Sequence, residues 1–380
     1  GSNIKPFIYS AALDSGYTLA SIVNDAPINQ WDRSTGVVWR PKNSPPTYNG
    51  EIRLRLALAQ SKNVIAVRLL RDVGLDKIIP YLASFGFDPN DLPRNESLAL
   101  GSASLTPLEV ATGFATFANG GFLIQPYLIE RIEDSFGNVI FQANPAIACD
   151  RCEDTPPVTS DFKAENNDNY AVDDTADNTP QPKAINKAKR VISAQNAFLM
   201  TEALNSAIWG SDWNIKPYWQ GTGYRARTLK RRDIAGKTGT TNQAKDAWFS
   251  GYSRRLVTTS WIGFDDPSRN LGKTAYNRNL GKAQITGKEF GAKSAQPAWI
   301  SFMKTALADL PVEPFEQPEA LMSVRIDKIS GKLTKKTDKS SRFEYFELGS
   351  APTEYISEDI SNEILDGSNP IESNDGEIFD

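Results

Sequence analysis

Gly1-Ser2-Asn3-Ile4-Lys5-Pro6-Phe7 begins the chain, and the spacing between Ser2 and Lys5 governs how the rest is read. Residues three apart lie one above the other on a helix, so the lysine amine can reach the serine oxygen without a loop to position it. Ile4, Phe7, Ile8, Ala11 and Ala12 recur at helical spacing and predict an amphipathic helix from residue 2 to about 14, with Ser2 at its N-terminus. Pro6 falls at the edge of the first turn, where its missing N–H costs at most one bond. The chain has no histidine. A Ser-His-Asp or Cys-His arrangement is therefore excluded, and a serine nucleophile here needs a lysine or a carboxylate as base.

Two further short elements follow. Ser61-Lys62-Asn63 ends the apolar run Leu56-Ala57-Leu58-Ala59-Gln60, and Lys237-Thr238-Gly239-Thr240 lies within Asp233 to Asn242. Alone, the first reads as a helix-breaking polar turn and the second as a strand running into a turn. In the order SxxK, SxN, KTG they form the signature shared by penicillin-binding proteins and class A β-lactamases. Longer stretches carry the same likeness: Ala59-Gln60-Ser61-Lys62-Asn63-Val64, Gly101 to Glu109, Phe117-Ala118-Asn119-Gly120-Gly121 and Ala247-Trp248-Phe249-Ser250-Gly251-Tyr252. Over residues 1 to 310, apart from one insert, the chain resembles the transpeptidase domain of class A, bifunctional penicillin-binding proteins of Gram-negative bacteria.

That resemblance implies an α/β (α+β) architecture, the penicillin-binding protein/β-lactamase-like transpeptidase fold. In it an antiparallel sheet is flanked by helices, with a helical subdomain. It implies a D,D-transpeptidase that works through an acyl-enzyme, with Ser2 as nucleophile, Lys5 as its base and Lys237 as a second cation that keeps Lys5 neutral. Ser61 would relay a proton to the leaving amine, and Asn63 would hold the acyl carbonyl and restrain Lys5. Thr238 and Thr240 share one strand face and suit a terminal carboxylate, while Gly239 would leave the strand edge bare for an extended peptide. The backbone N–H groups of Ser2 and Thr240 would form the oxyanion hole. Expected partners are peptidoglycan stem peptides, β-lactam antibiotics bound covalently at Ser2, and activator proteins of cell-wall synthesis. No metal or organic cofactor is needed.

At 380 residues with 40% hydrophobic content, the chain is ample for a large core. A net charge of −4 leaves no basic footprint of the kind nucleic-acid binders use. No uninterrupted apolar stretch of about 18 residues appears. The nucleophile motif at the very start predicts a C-terminal piece of a longer polypeptide. In the resembled family the preceding part carries a membrane anchor and a glycosyltransferase domain, which predicts the periplasmic face of the inner membrane. Cys149 and Cys152 are the only cysteines. With no histidine they cannot complete a usual structural zinc site, and a local disulfide in an oxidising compartment is the expectation.

Further along, residues 53 to 72 read as a helical region interrupted at Ser61, and 105 to 118 as a helix opened by Thr106-Pro107. Tyr127 to Glu133 and Val139 to Gln142 read as a hairpin, 193 to 209 as a helix, and Arg232 to Thr241, Asp246 to Tyr252 and Leu256 to Phe264 as an antiparallel meander. Residues 295 to 309 read as a helix closing the domain. Residues 144 to 187 are rich in Asp, Asn, Thr and Pro and read as a flexible acidic insert. Residues 311 to 348 are a C-terminal extension, and 349 to 380, with many acids and no lysine or arginine, an acidic disordered tail. Trp209, Trp213, Tyr218 and Trp219 precede Gly221-Thr222-Gly223 and read equally as lining of the donor site or as packing.

Two rivals share the motifs. A serine β-lactamase would need a deacylating glutamate after SxN, and Glu96 in Arg94-Asn95-Glu96-Ser97-Leu98 is the candidate, although the usual ExxLN pattern is missing. A membrane-linked β-lactam sensor would be acylated permanently and carry a signalling domain elsewhere.

Overall fold

A computed structural model describes residues 1–32, 37–149, 152, 185–210, 220–266, 268–281 and 284–357. The segment Ser2–Ile4 forms a 3-10 turn that runs into helix α1, Lys5–Asp14, whose second residue is Pro6. Strand β1, Ile22–Asp25, pairs antiparallel with β2, Gly50–Arg53. Helix α2, Leu54–Ala59, stops at a turn in which Ser61 has φ of 55°, a left-handed conformation that no continuing helix tolerates. The chain restarts as α3, Asn63–Val73, followed by α4, Leu75–Ser84. Helix α5, Pro107–Ala118, begins with a capping box: Thr106 Oγ1 accepts the Glu109 N–H, and the Glu109 carboxylate accepts the Thr106 N–H. Helix α6 spans Ala194–Trp209 behind the Ser193 cap.

The meander consists of β3, Ile234–Thr240, β4, Ala247–Ser253, and β5, Val257–Ile262, in the order β5-β4-β3, so β3 is an edge strand. After it come α7, Gly291–Ser294, and α8, Gln296–Ala306. The main core lies between α1, α3, α5 and α6, where Phe7 packs edge-on against Phe85, Phe87 and Phe114 and stacks with Phe117. A second cluster joins the sheet to α8 through Phe249 and Trp299, whose ring centroids are 4.8 Å apart.

The chain does not end its packing at α8. It returns as the hairpin of β6, Leu321–Asp327, and β7, Ser341–Glu347. From β7 the fully buried Glu344 reaches Arg55 Nε at 2.8 Å and Arg53 Nη1 at 3.4 Å, and Arg53 Nε donates to the Lys328 carbonyl at 2.6 Å. Residues 349–357, expected as the start of a disordered tail, are tied down instead. Leu333 N–H donates to Glu354 O and Ile356 N–H to Leu333 O, so backbone pairing outweighs the acidic composition there. Residues 358–380 lie outside the described residues.

The hairpin expected after residue 127 forms over the shorter Arg131–Glu133 and Val139–Gln142, because Tyr127, Leu128 and Ile129 are exposed and make no ladder. The two ends of the acidic insert meet: Ile147 bridges Lys187, and Cys149 is disulfide-bonded to Cys152. The rest of that insert, from 153 to 184, lies outside the described residues. No described helix is long and apolar enough to cross a membrane.

Candidate active site

The Ser61 turn, the first turn of the chain and the edge of β3 converge on a cleft of about 670 Å³. Ser2, Ser61, Asn63, Thr238 and Thr240 line it, together with Ser44, Gln60, Thr222, Tyr224, Arg225, Asn242 and Phe290. The two predicted lysines are absent from that lining because they lie beneath it. Lys5 and Lys237 are both fully buried.

Burial alone does not say what the lysines do; their partners do. Lys5 Nζ donates to the Ser61 carbonyl at 2.6 Å, to Asn63 Oδ1 at 2.6 Å and to Ser61 Oγ at 3.3 Å. Lys237 Nζ donates to the same Ser61 Oγ at 2.8 Å and to the Thr238 carbonyl at 2.9 Å. One hydroxyl therefore accepts from both lysines and keeps its own proton for a third group. No carboxylate pairs with either amine among the described residues. Loss of solvation pushes Lys5 well below the ordinary lysine range, and the ammonium groups of Lys237 and Lys62 add to that. Burial brings Lys237 down to about 7.

One expectation is corrected. Among the described residues no hydrogen bond joins the Ser2 hydroxyl to Lys5, since all three donors of the Lys5 ammonium face the Ser61 turn. A lone pair for Ser2 becomes available only when Lys5 sheds a proton, and burial favours that state.

Glycine explains the close approach of the strand to the helix start. A Cβ on Gly1 would stand 3.1 Å from the Thr240 carbonyl, and one on Gly101, whose φ is 79°, would collide with the Gly1 oxygen. Gly239 plays a different part from the one expected. It is not among the cleft-lining residues, and a Cβ there would meet Trp248 Cβ at 2.8 Å and Asn3 Cγ at 3.1 Å, so the missing side chain lets the first turn pack onto the strand.

Among the described residues no strand pairs with the outer edge of β3, where the Thr238 carbonyl accepts from Lys237 Nζ. Thr241 N–H bonds to the Asp246 carbonyl, so the residues in phase with it, Gly239 and Lys237, turn their backbone groups to β4. Thr238 and Thr240 then present theirs outward, beside Ser2. Thr240 Oγ1 accepts the Gly291 N–H at 3.0 Å and keeps a proton to donate, while Thr238 Oγ1 bonds Thr222 Oγ1 at 2.8 Å. The cleft thus offers a hydroxyl flanked by backbone donors, a shared proton carrier, and an open strand edge with two threonines.

Glu96, the candidate deacylating base, is elsewhere. Arg71 holds it through two bonds of 2.7 Å, and it does not line the cleft. Trp209 is not in the lining either; the Arg232 guanidinium sits 3.8 Å from its ring centroid. Trp213, Tyr218 and Trp219 lie outside the described residues. Among the described residues no cluster of acids or cysteines could hold a metal. Sequence reading overlooked Tyr224 and Arg225, which directly follow the glycine-rich Gly221-Thr222-Gly223 stretch, and the Glu289-Phe290 segment of the cleft wall, which carries no local signal.

Comparison with known proteins adds an independent finding. The family model described as penicillin binding protein transpeptidase domain matches residues 1–270. Penicillin-binding protein 1A of Vibrio cholerae is 53% identical over 369 residues, covering 97% of this chain and 42% of the relative. Penicillin-binding protein 1A of Escherichia coli is 48% identical over 388 residues, covering 96% of this chain and 45% of the relative. The chain thus spans less than half the length of these two relatives. The crystal structure of penicillin-binding protein 1A from Haemophilus influenzae superposes with a TM-score of 0.76 at 44% identity, covering 94% of this chain and 49% of that one.

Proposed function

We propose, from the premise that this chain belongs to the penicillin-binding protein transpeptidase family, that it is a serine D,D-transpeptidase which cross-links peptidoglycan stem peptides. The observation that carries the reading is the pair of buried lysines sharing Ser61 Oγ beneath a cleft that Ser2 lines. In the acylation step Lys5 takes the proton of Ser2, and Ser2 Oγ bonds to the carbonyl carbon of the penultimate D-alanine. The Ser2 and Thr240 N–H groups receive the developing oxyanion. The C–N bond then breaks, and the leaving amine takes a proton from Ser61 Oγ, which is refilled from the lysines. Thr238 and Thr240 hold the terminal carboxylate, whose charge favours the protonated form of Lys237 beneath them. An amine of a neighbouring strand takes the acyl group and frees Ser2.

β-Lactams would acylate the same oxygen and stay there. The tethering of Glu96 to Arg71, away from the cleft, weighs against rapid deacylation by a β-lactamase route. A glycosyltransferase domain, a membrane anchor placing the cleft at the periplasmic face of the inner membrane, and contacts with activator proteins belong to this proposal as properties of the longer proteins the chain resembles. Labelling with a fluorescent penicillin tests it, with the adduct mapped by mass spectrometry and lipid-linked substrate supplied in parallel. A lasting adduct on Ser2 with cross-linked product is expected. Turnover within seconds, or an adduct at another residue, would overturn the reading.

A further inference from the structure

Behind the Ser61–Asn63 turn lies a buried polar array that acylation as described does not use. Asp25, at the end of β1, is fully buried, and Asn43 and Lys62 are nearly so. Lys62 Nζ meets Asp25 Oδ2 at 3.1 Å, and Asn43 Nδ2 donates to Asp25 Oδ1 at 2.6 Å. The same carboxylate accepts the Asn49 N–H at 3.0 Å. Its lone pairs are thus met from three sides.

Asn43 reaches the active-site turn directly. Its Oδ1 accepts the N–H of Asn63 at 2.9 Å and of Val64 at 3.2 Å. These are opening amides of α3, whose own N-cap residue, Lys62, makes no side-chain cap bond. The cap is supplied from a distant segment. The next residue back completes the grip, because Asn63 Nδ2 donates to the Lys42 carbonyl at 2.7 Å. With one end of its amide tied there, Asn63 aims Oδ1 at Lys5 Nζ. A continuous chain of hydrogen bonds therefore runs from Asp25 through Asn43 and Asn63 to the base.

We propose that Asp25, Asn43 and Lys62 are positioning residues of the acylation step: the Asp25–Asn43 pair fixes the Ser61–Asn63 turn against Lys5, and Lys62, held by Asp25, places a positive charge behind that base. The inference rests on the transpeptidase reading above. Each member has its own part. Asn43 keeps Asn63 Oδ1 and Ser61 Oγ in register with the amine, a matter of geometry that affects the acylation rate more than ligand capture. Lys62 acts through charge. Among the described residues the charged groups that face Lys5 are Lys237 from β3, Lys62 from the turn between α2 and α3, and the amine of Gly1, and Lys62 in turn is faced by Asp25 from β1. Tyr9, on the same helix as Lys5, stands near Asp25. A like charge at Lys62 disfavours protonated Lys5, so its removal makes Lys5 hold its proton to higher pH.

The test is the pH profile of acylation by a fluorescent penicillin, measured on the full chain together with thermal melts. For Lys62→Met the acid limb moves to higher pH, with the plateau rate kept within a few-fold. For Lys62→Arg, which keeps the charge, the limb stays with the wild type. Asn43→Ala lowers the maximal acylation rate by about tenfold or more, with half-saturating antibiotic little changed. Profiles for Lys62→Met that superimpose on the wild type, or losses in both variants that match the unfolded fraction in the melts, would overturn the inference. Normal wild-type labelling at Ser2 alongside such profiles overturns this inference alone. Absence of wild-type labelling removes the transpeptidase reading on which it stands.

Discussion

Two groups of buried cations in this molecule are handled in opposite ways. Arg53 and Arg55 lie fully buried where β7 docks on α2, and both meet the carboxylate of Glu344. Burial alone would raise that carboxyl, but the charge of Arg55, then of Arg342, and a hydrogen bond from Arg55 hold it down at about 2. Lys5 and Lys237, equally buried, share a serine hydroxyl and have no carboxylate partner among the described residues. The first group is a carboxylate-paired brace that fastens the C-terminal hairpin. The second is left uncompensated, so burial holds Lys5 well below the ordinary lysine range and brings Lys237 to about 7. Basic side chains serve stability in one place and, in the proposed reaction, proton transfer in the other.

Removing a member of each group separates the two roles most sharply. Lys5→Ala lowers acylation by about a thousandfold or more while leaving a folded protein, as read by antibiotic labelling and thermal melting. Unchanged labelling would end its role as base. Glu344→Ala removes the buried carboxylate that the Arg53 and Arg55 guanidinium groups share, and costs roughly 3–5 kcal/mol of stability in denaturant titration. Folded protein that survives still labels at Ser2.

A pH series sharpens the contrast further. The ordinary value for lysine is 10.5, and burial lowers folded Lys237 to about 7. Below about 7 both folded and unfolded states hold the proton, and the cost of burying the charge is fully present. Between the two values the folded state has released it while the unfolded chain keeps it, so this contribution rises with pH. Lys237→Met therefore raises the free energy of unfolding most at pH 6 to 7, by an amount on the order of a few kcal/mol in denaturant titration, and the gap to wild type closes toward pH 10. A constant gap would show that the amine is charged in the fold. The smallest effect is expected at Glu96. Its pairing with Arg71 is partly exposed, so Glu96→Gln changes stability by about 1 kcal/mol or less and leaves the lifetime of the penicillin adduct unaltered. A lengthened lifetime would reopen the β-lactamase reading.

The sequence motifs located Ser2, Lys5, Ser61, Asn63, Lys237, Thr238 and Thr240 because each sits in a short pattern whose spacing is set by one helix turn, one sharp bend or one strand. The meander and the capped helix at Thr106 were legible for the same reason: local periodicity and turn chemistry determine them. What stayed hidden depends on pairing between distant segments. Asn43 caps a helix from 20 residues away, and Glu344 braces α2 from 289 residues away, neither with any local signature. Gly239 was assigned by strand position alone, whereas its contact is with Asn3 from the far end of the chain. The Ser2–Lys5 spacing alone says nothing of where the amine points; its approach to the Ser61 turn was legible only through the expected restraint of Lys5 by Asn63.

The protonation state of Lys5 is the most direct test of the account. Lysine labelled with 15N at Nζ, with the Lys5 signal assigned by comparison with Lys5→Ala, can be titrated by NMR in the intact chain. The account predicts a single amine changing state well below the ordinary lysine range, and a second, assigned through Lys237→Met, changing near 7. Titration of Lys5 close to 10.5, with the free lysines, would contradict it.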